Sequence, residues 1–347
     1  MLKFGPEAPI RQMTGPVRAG GPPTTPGASL TSGQQPSISV VVCTHAWRRA
    51  RQVVDCVASV LANSVPPAEL VVVVDGDPQL RGHLAGQLPA AVTLLDSDGA
   101  GVSEARNSGL ARVGGDLVAF IDDDATAQPD WLAELLAAFA AVPAAAAVGG
   151  RILPAWEAPG GWLPDELLWV VGCTYAGHPE GPQPIGRPIG ANMAFRSDAL
   201  RRAGGFPHEF GPRGPALKSH SNEEIVTALA VRRLCGDDAI WYWPTAVVRH
   251  FVPASRLRWR YLVERCLAEG RSKADVRRLH GAASMRYDRG YLVHTLLPAI
   301  RRYAARGVAG DPTAASSVLV AGSGLLLTAA GYGTRSLGRL AGRRRAR

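Results

Sequence analysis

Leu117-Val118-Ala119-Phe120-Ile121-Asp122-Asp123-Asp124 decides the fold: five apolar residues run into three acids. An unbroken apolar run this short suits a strand whose two faces are both buried in a parallel sheet. Similar runs come earlier, at Ile38-Ser39-Val40-Val41-Val42-Cys43, at Glu69-Leu70-Val71-Val72-Val73-Val74 and, more weakly, at 92–95. Helical stretches fall at about 49–62, 102–113 and 129–141, punctuated by Asn63, Pro66-Pro67 and Gly114-Gly115. The alternation predicts an α/β fold, a Rossmann-like mixed, mainly parallel sheet flanked by helices and joined by right-handed crossovers. Ligands bind such sheets at the carboxyl ends of the strands. Those ends carry Asp75 and Asp77, Asp96 and Asp98, and Asp122 to Asp124. Acids gathered on one edge suit a cation or a hydroxyl-rich ligand.

Beyond 141 the reading is coarser. Residues 144–170 suggest a strand and then irregular structure, with Trp156, Trp162 and Trp169 among Pro and Gly. Loops are expected at 172–188 and 208–220. Between them lie a strand at 190–196, a short helix at 197–203 and a Gly204-Gly205-Phe206-Pro207 turn. A helix over 223–234, two strands at 240–243 and 247–250, and a basic helix over 257–280 complete the pattern.

The chain has 347 residues, 46% hydrophobic and 19% charged, which excludes a wholly disordered protein. Its net charge of +9 is uneven. Residues 1–255 hold 19 Lys+Arg against 24 Asp+Glu, and residues 256–347 hold 19 against 5. A basic domain that coats nucleic acid is therefore excluded, and no nucleic-acid partner is expected. Five scattered cysteines with no C-x-x-C pair indicate reduced thiols and a cytoplasmic setting. Residues 1–36 lack an apolar core and read as a disordered leader. The expected organisation is that leader, a catalytic domain over 37–255, a basic helical extension over 256–310, and an apolar segment with a basic tail over 311–347.

Each candidate constellation has two readings when taken alone. Asp122 and Asp124 could converge on a hard divalent cation, Mg²⁺ or Mn²⁺, or form an acidic turn that caps a helix. Arg106, on a helix opened by Ser103, could pair with a strand-end acid or a phosphate, or lie on a plain surface helix. Asn222-Glu223-Glu224 could supply a general base, or acids that complement a helix dipole. Adjacent helical residues point about 100° apart, so one of the two glutamates should face a site. His250 could be a ligand or a structural histidine.

Taken together, residues 38–273 resemble the inverting nucleotide-sugar glycosyltransferases of the A-type (GT-A) fold. Val40-Val41-Val42-Cys43-Thr44-His45 with Arg48 is similar to their opening strand and nucleotide loop, although the usual Asn is absent. Val73-Val74-Asp75-Gly76-Asp77 resembles the acid that contacts base or ribose. Gly101 to Gly109, with Ser103, Arg106 and Asn107, is close to "G-x-S-x-A-R-N-x-G". Phe120-Ile121-Asp122-Asp123-Asp124 matches the metal-binding D-x-D. Gly190-Ala191-Asn192 with Gly204-Gly205-Phe206 is similar to the acceptor-side block. Asn222-Glu223-Glu224 stands where the family has "G-E-D", and His250 matches its late histidine.

The resemblance implies a donor site of Thr44, His45, Arg48, Asp75, Ser103, Arg106, Asn107, Asp122 and Asp123. It implies a Mg²⁺ or Mn²⁺ site at Asp122, Asp124 and His250. Glu224, or its neighbour Glu223, would be the base, and Gly190, Asn192, Gly204, Gly205 and Phe206 would serve the acceptor. The expected partners are a nucleoside-diphosphate sugar, most often of uridine, and a glycan, lipid-linked or small-molecule acceptor. Two alternatives stand beside this reading. A sugar-phosphate nucleotidyltransferase would carry a glycine in the loop at 44–51, and none is present. The other is a non-catalytic glycan- or lipid-binding scaffold.

Residues 312–334 contain no charged side chain and have basic residues on both sides. They fit a spanning helix, an interfacial helix or a helix packed on the domain. With the basic run at 257–280 they suggest an anionic membrane surface at the cytoplasmic face.

Overall fold

A computed structural model describes residues 35–208 and 222–345. The expected leader, but for its last two residues, and nearly all of the 208–220 loop lie outside the described residues. Among the described residues nine strands form one sheet: β1 Ile38–Thr44, β2 Glu69–Val74, β3 Val92–Asp96, β4 Leu117–Asp122, β5 Ala125–Ala127, β6 Ala147–Trp156, β7 Gln183–Pro184, β8 Asn192–Arg196 and β9 Ile240–Val252. Their order is β3-β2-β1-β4-β8-β6-β9-β5, with β7 paired to β9 outside that path. The first four strands in this order are parallel, β8 runs antiparallel to both β4 and β6, and β6 and β9 are parallel to each other.

The valine runs explain the layering. On β1, Val40 and Val42 pack into one core while Val41 packs into the other. Both faces of the strand are thus dry, as a run without alternation requires. Helices α1 Ala50–Leu61, α2 Pro78–Ala85, α3 Val102–Arg112 and α4 Trp131–Ala141 flank the sheet, and α5 Ser197–Arg202 and α6 Glu223–Cys235 follow β8.

Three differences from the sequence reading have local causes. Helix α2 was not expected, yet Asp77 caps it by accepting the Leu80 N–H at 2.9 Å, and Pro78 opens it. Strand β5 is only three residues long and pairs with β9. The two strands expected at 240–243 and 247–250 are one strand, β9. Its register with β6 slips between Gly150 and Arg151, and the slip absorbs Pro244, which has no N–H to give the ladder. All five cysteines are free.

The C-terminal part is α7 Trp259–His280, α8 Arg286–Tyr291, α9 Leu297–Val308 and α10 Pro312–Arg345. Helix α10 packs on α7 and α9. A Cβ on Gly270 of α7 would lie 2.0 Å from the Thr328 carbonyl oxygen, and one on Gly331 of α10 would lie 2.2 Å from that of Leu267. The two backbones therefore touch. On its other face α10 leaves Leu319, Leu326 and Leu337 exposed. It is long and apolar enough to cross a membrane, but one face is committed to the protein.

Candidate active site

The site forms where β4 ends. Asp122 is partly exposed at the strand tip, and Asp123 and Asp124 are buried in the turn leading to β5. β5 pairs with β9 so that Ala125 faces His250, and the Phe251 N–H donates to the Asp124 carbonyl at 2.7 Å. This pairing brings a distant histidine to the acids. His250 Nε2 lies 3.2 Å from Asp124 Oδ1. Gly172, at φ +82°, makes room for the ring, since a Cβ there would stand 3.3 Å from its Cε1.

One ligand atom each from Asp122, Asp124 and His250 falls within 4.8 Å of the others. Asp124 Oδ1 is buried without a hydrogen bond of good geometry. Cis ligands of an octahedral ion with bonds near 2.1 Å stand about 3.0 Å apart, close to the His250–Asp124 separation. The donor set and the orphaned oxygen thus fit a small divalent cation.

Arginines hold the acids from behind. Arg49 pairs with Asp123 and, at 2.9 Å, with Asp124 Oδ2, and Arg256 stands 3.6 Å from the same oxygen. Burial pushes the Asp123 carboxyl up to about 6, with Arg49 opposing and Asp124 adding to the rise. Against its own burial, Asp124 is held well below the usual range by His250, Arg49 and Arg256.

Arg106 is buried and links two elements. Its guanidinium lies 3.0 Å from Glu223 Oε1 and 3.6 Å from Asp122 Oδ1, over the Phe206 ring at 5.2 Å. Glu223 is therefore turned inward, and burial and the adjacent Glu224 push it up to about 7 against the pull of Arg106. Glu224 lines a cavity of about 460 Å³ together with Asp122 and Gly190. Gly190 lies directly beneath these groups: a Cβ there would come within 2.6 Å of Glu224 Oε1 and 2.8 Å of Arg106 Nη2.

The other residues expected at the site take several different places. Thr44 and Ser103 are buried, with Thr44 beside Asp123, while His45 and Arg48 are exposed. Asp75 accepts the Gly101 N–H at 2.8 Å and so ties β2 to the opening of α3. Asn107 and Asn192 spend their amides on the fold. Asn107 exchanges two 2.8 Å bonds with the Phe206 backbone. Asn192 is fully buried, accepts the Trp131 indole N–H at 2.8 Å, and donates to the carbonyls of Arg151 and Ala246. Gly204 and Gly205 take positive φ in the turn before Phe206, and a Cβ on Gly205 would strike Asn107 Oδ1. Phe206 is buried edge-on against Phe120 and Phe195. The acids of the third strand end stand apart from the site: Asp96 pairs with Arg81, and Asp98 bonds Ser108. Sequence reasoning missed Arg49 and Arg256. Arg49 is next to the arginine chosen from the motif, and only the start of α1 shows which of the two turns inward.

Fold and site together define a glycosyltransferase of the GT-A architecture. A mannosyltransferase from Pyrobaculum calidifontis, solved with GDP-mannose and Mn²⁺, shares the fold at TM-score 0.54 and 18% identity, over 86% of this chain and 87% of that one. The model of glycosyl transferase family 2 matches residues 39–204. A glucosyl-dolichyl phosphate glucuronosyltransferase of Haloferax volcanii is 34% identical over 71% of this chain and 79% of its own length. The succinoglycan biosynthesis protein ExoM of Rhizobium meliloti is 27% identical over 68% and 73%. The chain belongs to glycosyl transferase family 2, which removes the nucleotidyltransferase and scaffold alternatives.

Proposed function

We propose that this enzyme moves a sugar from a nucleoside-diphosphate sugar, with uridine as the first base to test, to an acceptor hydroxyl with inversion at the anomeric carbon. The observation that carries the reading is that Asp122 and Glu224 open into one cavity while Arg106 joins Asp122 to Glu223. Asp122, Asp124 and His250 would hold Mg²⁺ or Mn²⁺, which supplies positive charge for the departing diphosphate. Arg106 fixes the acid side of the site. Glu224 accepts the proton of the acceptor hydroxyl as the oxygen–carbon bond forms and the bond to the diphosphate breaks. Glu223, bound to Arg106, orients this machinery.

Glu224→Gln should keep nucleotide binding and lose transfer by about 10²- to 10⁴-fold. Titration of the nucleotide with Mn²⁺, beside an assay of nucleoside diphosphate release, checks both halves. Near-normal turnover would move the base to Glu223.

The acceptor reading favours a lipid-linked glycan at the cytoplasmic membrane face. Two things support it: the Haloferax relative is named for a dolichyl phosphate substrate, and α10 exposes Leu319 and Leu326. Such a helix face suits an interfacial position.

A further inference from the structure

The cavity that holds Glu224 extends away from the acids. Its lining also takes in the segment around Leu292 and Leu296, and α10, where Leu325 lines it. Helix α7 adds a charged belt to the same lining. Arg265 pairs with Glu269 at 3.1 Å, and Lys273 pairs with Asp288 at 2.7 Å and Glu269 at 3.5 Å. Arg187 also lines the cavity, and among the described residues its side chain makes a 3.4 Å bond to Asn222 and no ion pair. With Asp122 and Glu224, the charged lining of the cavity is three cations and four anions, and among the described residues Arg187 is the cation without an ion pair. Against its burial, Lys273, Arg265 and Arg187 hold the Glu269 carboxyl down at about 2. A guanidinium without an ion pair, next to apolar lining, offers charge-assisted hydrogen bonds to an anion from elsewhere.

We infer that this cavity is the acceptor's seat, in which Arg187 and Lys273 hold a phosphate and Leu292, Leu296 and Leu325 take the hydrocarbon chain attached to it. The inference rests on the glycosyl-transfer reading and deepens it. The ligand is an amphiphile, an isoprenoid-type chain ending in a phosphate. The anion end faces Glu224, so a sugar carried on the phosphate is directed toward the base. The chain end lies against α10, the helix whose outer face is apolar.

Farnesyl phosphate, farnesol and inorganic phosphate serve as probes on the full chain with Mn²⁺ and UDP present. Farnesyl phosphate should bind at least about tenfold more tightly than either fragment. Arg187→Gln should weaken it by about tenfold or more, the loss of one charge-assisted hydrogen bond, and Arg187→Lys should restore part of it. Leu325→Ser should weaken farnesyl phosphate and farnesol but leave phosphate unchanged. UDP affinity should be the same in all variants. Equal farnesyl phosphate affinity in wild type and Arg187→Gln overturns the inference, as does binding of phosphate alone as tight as that of the amphiphile. Loss of UDP affinity in Arg187→Gln reassigns the belt to the donor and also overturns it. If UDP and Mn²⁺ fail to bind the wild type, it is the underlying glycosyl-transfer reading that falls.

Discussion

The two acidic runs of the site solve one problem on different backbones. Asp122–Asp123–Asp124 leaves a strand, while Glu223–Glu224 opens a helix. In each run one buried carboxylate is braced by an arginine, Asp123 by Arg49 and Glu223 by Arg106. The groups left for chemistry differ. The strand end and its turn bring residues two apart, Asp122 and Asp124, to the same place, which suits a shared ligand. The helix sends adjacent residues in different directions, so one acid faces inward and Glu224 alone opens to the cavity. An acid pair at a site is therefore read by its spacing on its own element.

Experiments can break this contrast. Asp124→Asn should cost most: activity falls by roughly three orders of magnitude, the several kcal/mol a bound cation contributes, and the Mn²⁺-dependent rise in Tm disappears. A retained Mn²⁺ shift would remove Asp124 from the ligand set. Arg49→Ala should lower stability by about 2–3 kcal/mol in urea unfolding, less than for a fully buried pair because the guanidinium is part-exposed, while Arg48→Ala should stay within about 0.5 kcal/mol of wild type. Equal effects would erase the distinction between brace and loop. Gly190→Ala should displace Glu224 and cut kcat by about tenfold to a hundredfold with nucleotide affinity kept. The smallest effect belongs to Glu223→Gln. Burial raises the Glu223 carboxyl to about 7, so the folded chain keeps a proton there that the unfolded chain releases near 4.5, and stability falls as pH rises between the two. Glu223→Gln should flatten that part of the Tm–pH curve, and an unchanged slope would contradict the arrangement.

Much of the parallel half-sheet was legible, because runs such as Val71 to Val74 have one physical use. The D-x-D and the order of the later blocks pointed to the sheet edge where Asp122, Asp124, His250, Arg106 and Glu224 come together. Other features depended on partners remote in sequence. Nothing around Asn192 announces that its amide will be spent on Trp131 and two carbonyls. Arg187 sits in a Gly/Pro-rich loop with no periodicity to aim it. The apolar stretch at 312–334 fitted three readings because its small residues gain meaning only against α7.

Gly270 and Gly331 set α10 against α7 at backbone contact, with no side chains between them to slide. The spacing from Leu319 and Leu326 to the α7 wall of the Glu224 cavity is then a fixed standoff. On the proposed reading, a surface that receives those leucines would be held at one height from that cavity, and acceptors would be measured by reach as well as by chemistry. A carrier too short to rise from that surface to the base, or too long to hold its sugar there, would go unglycosylated even with the correct sugar.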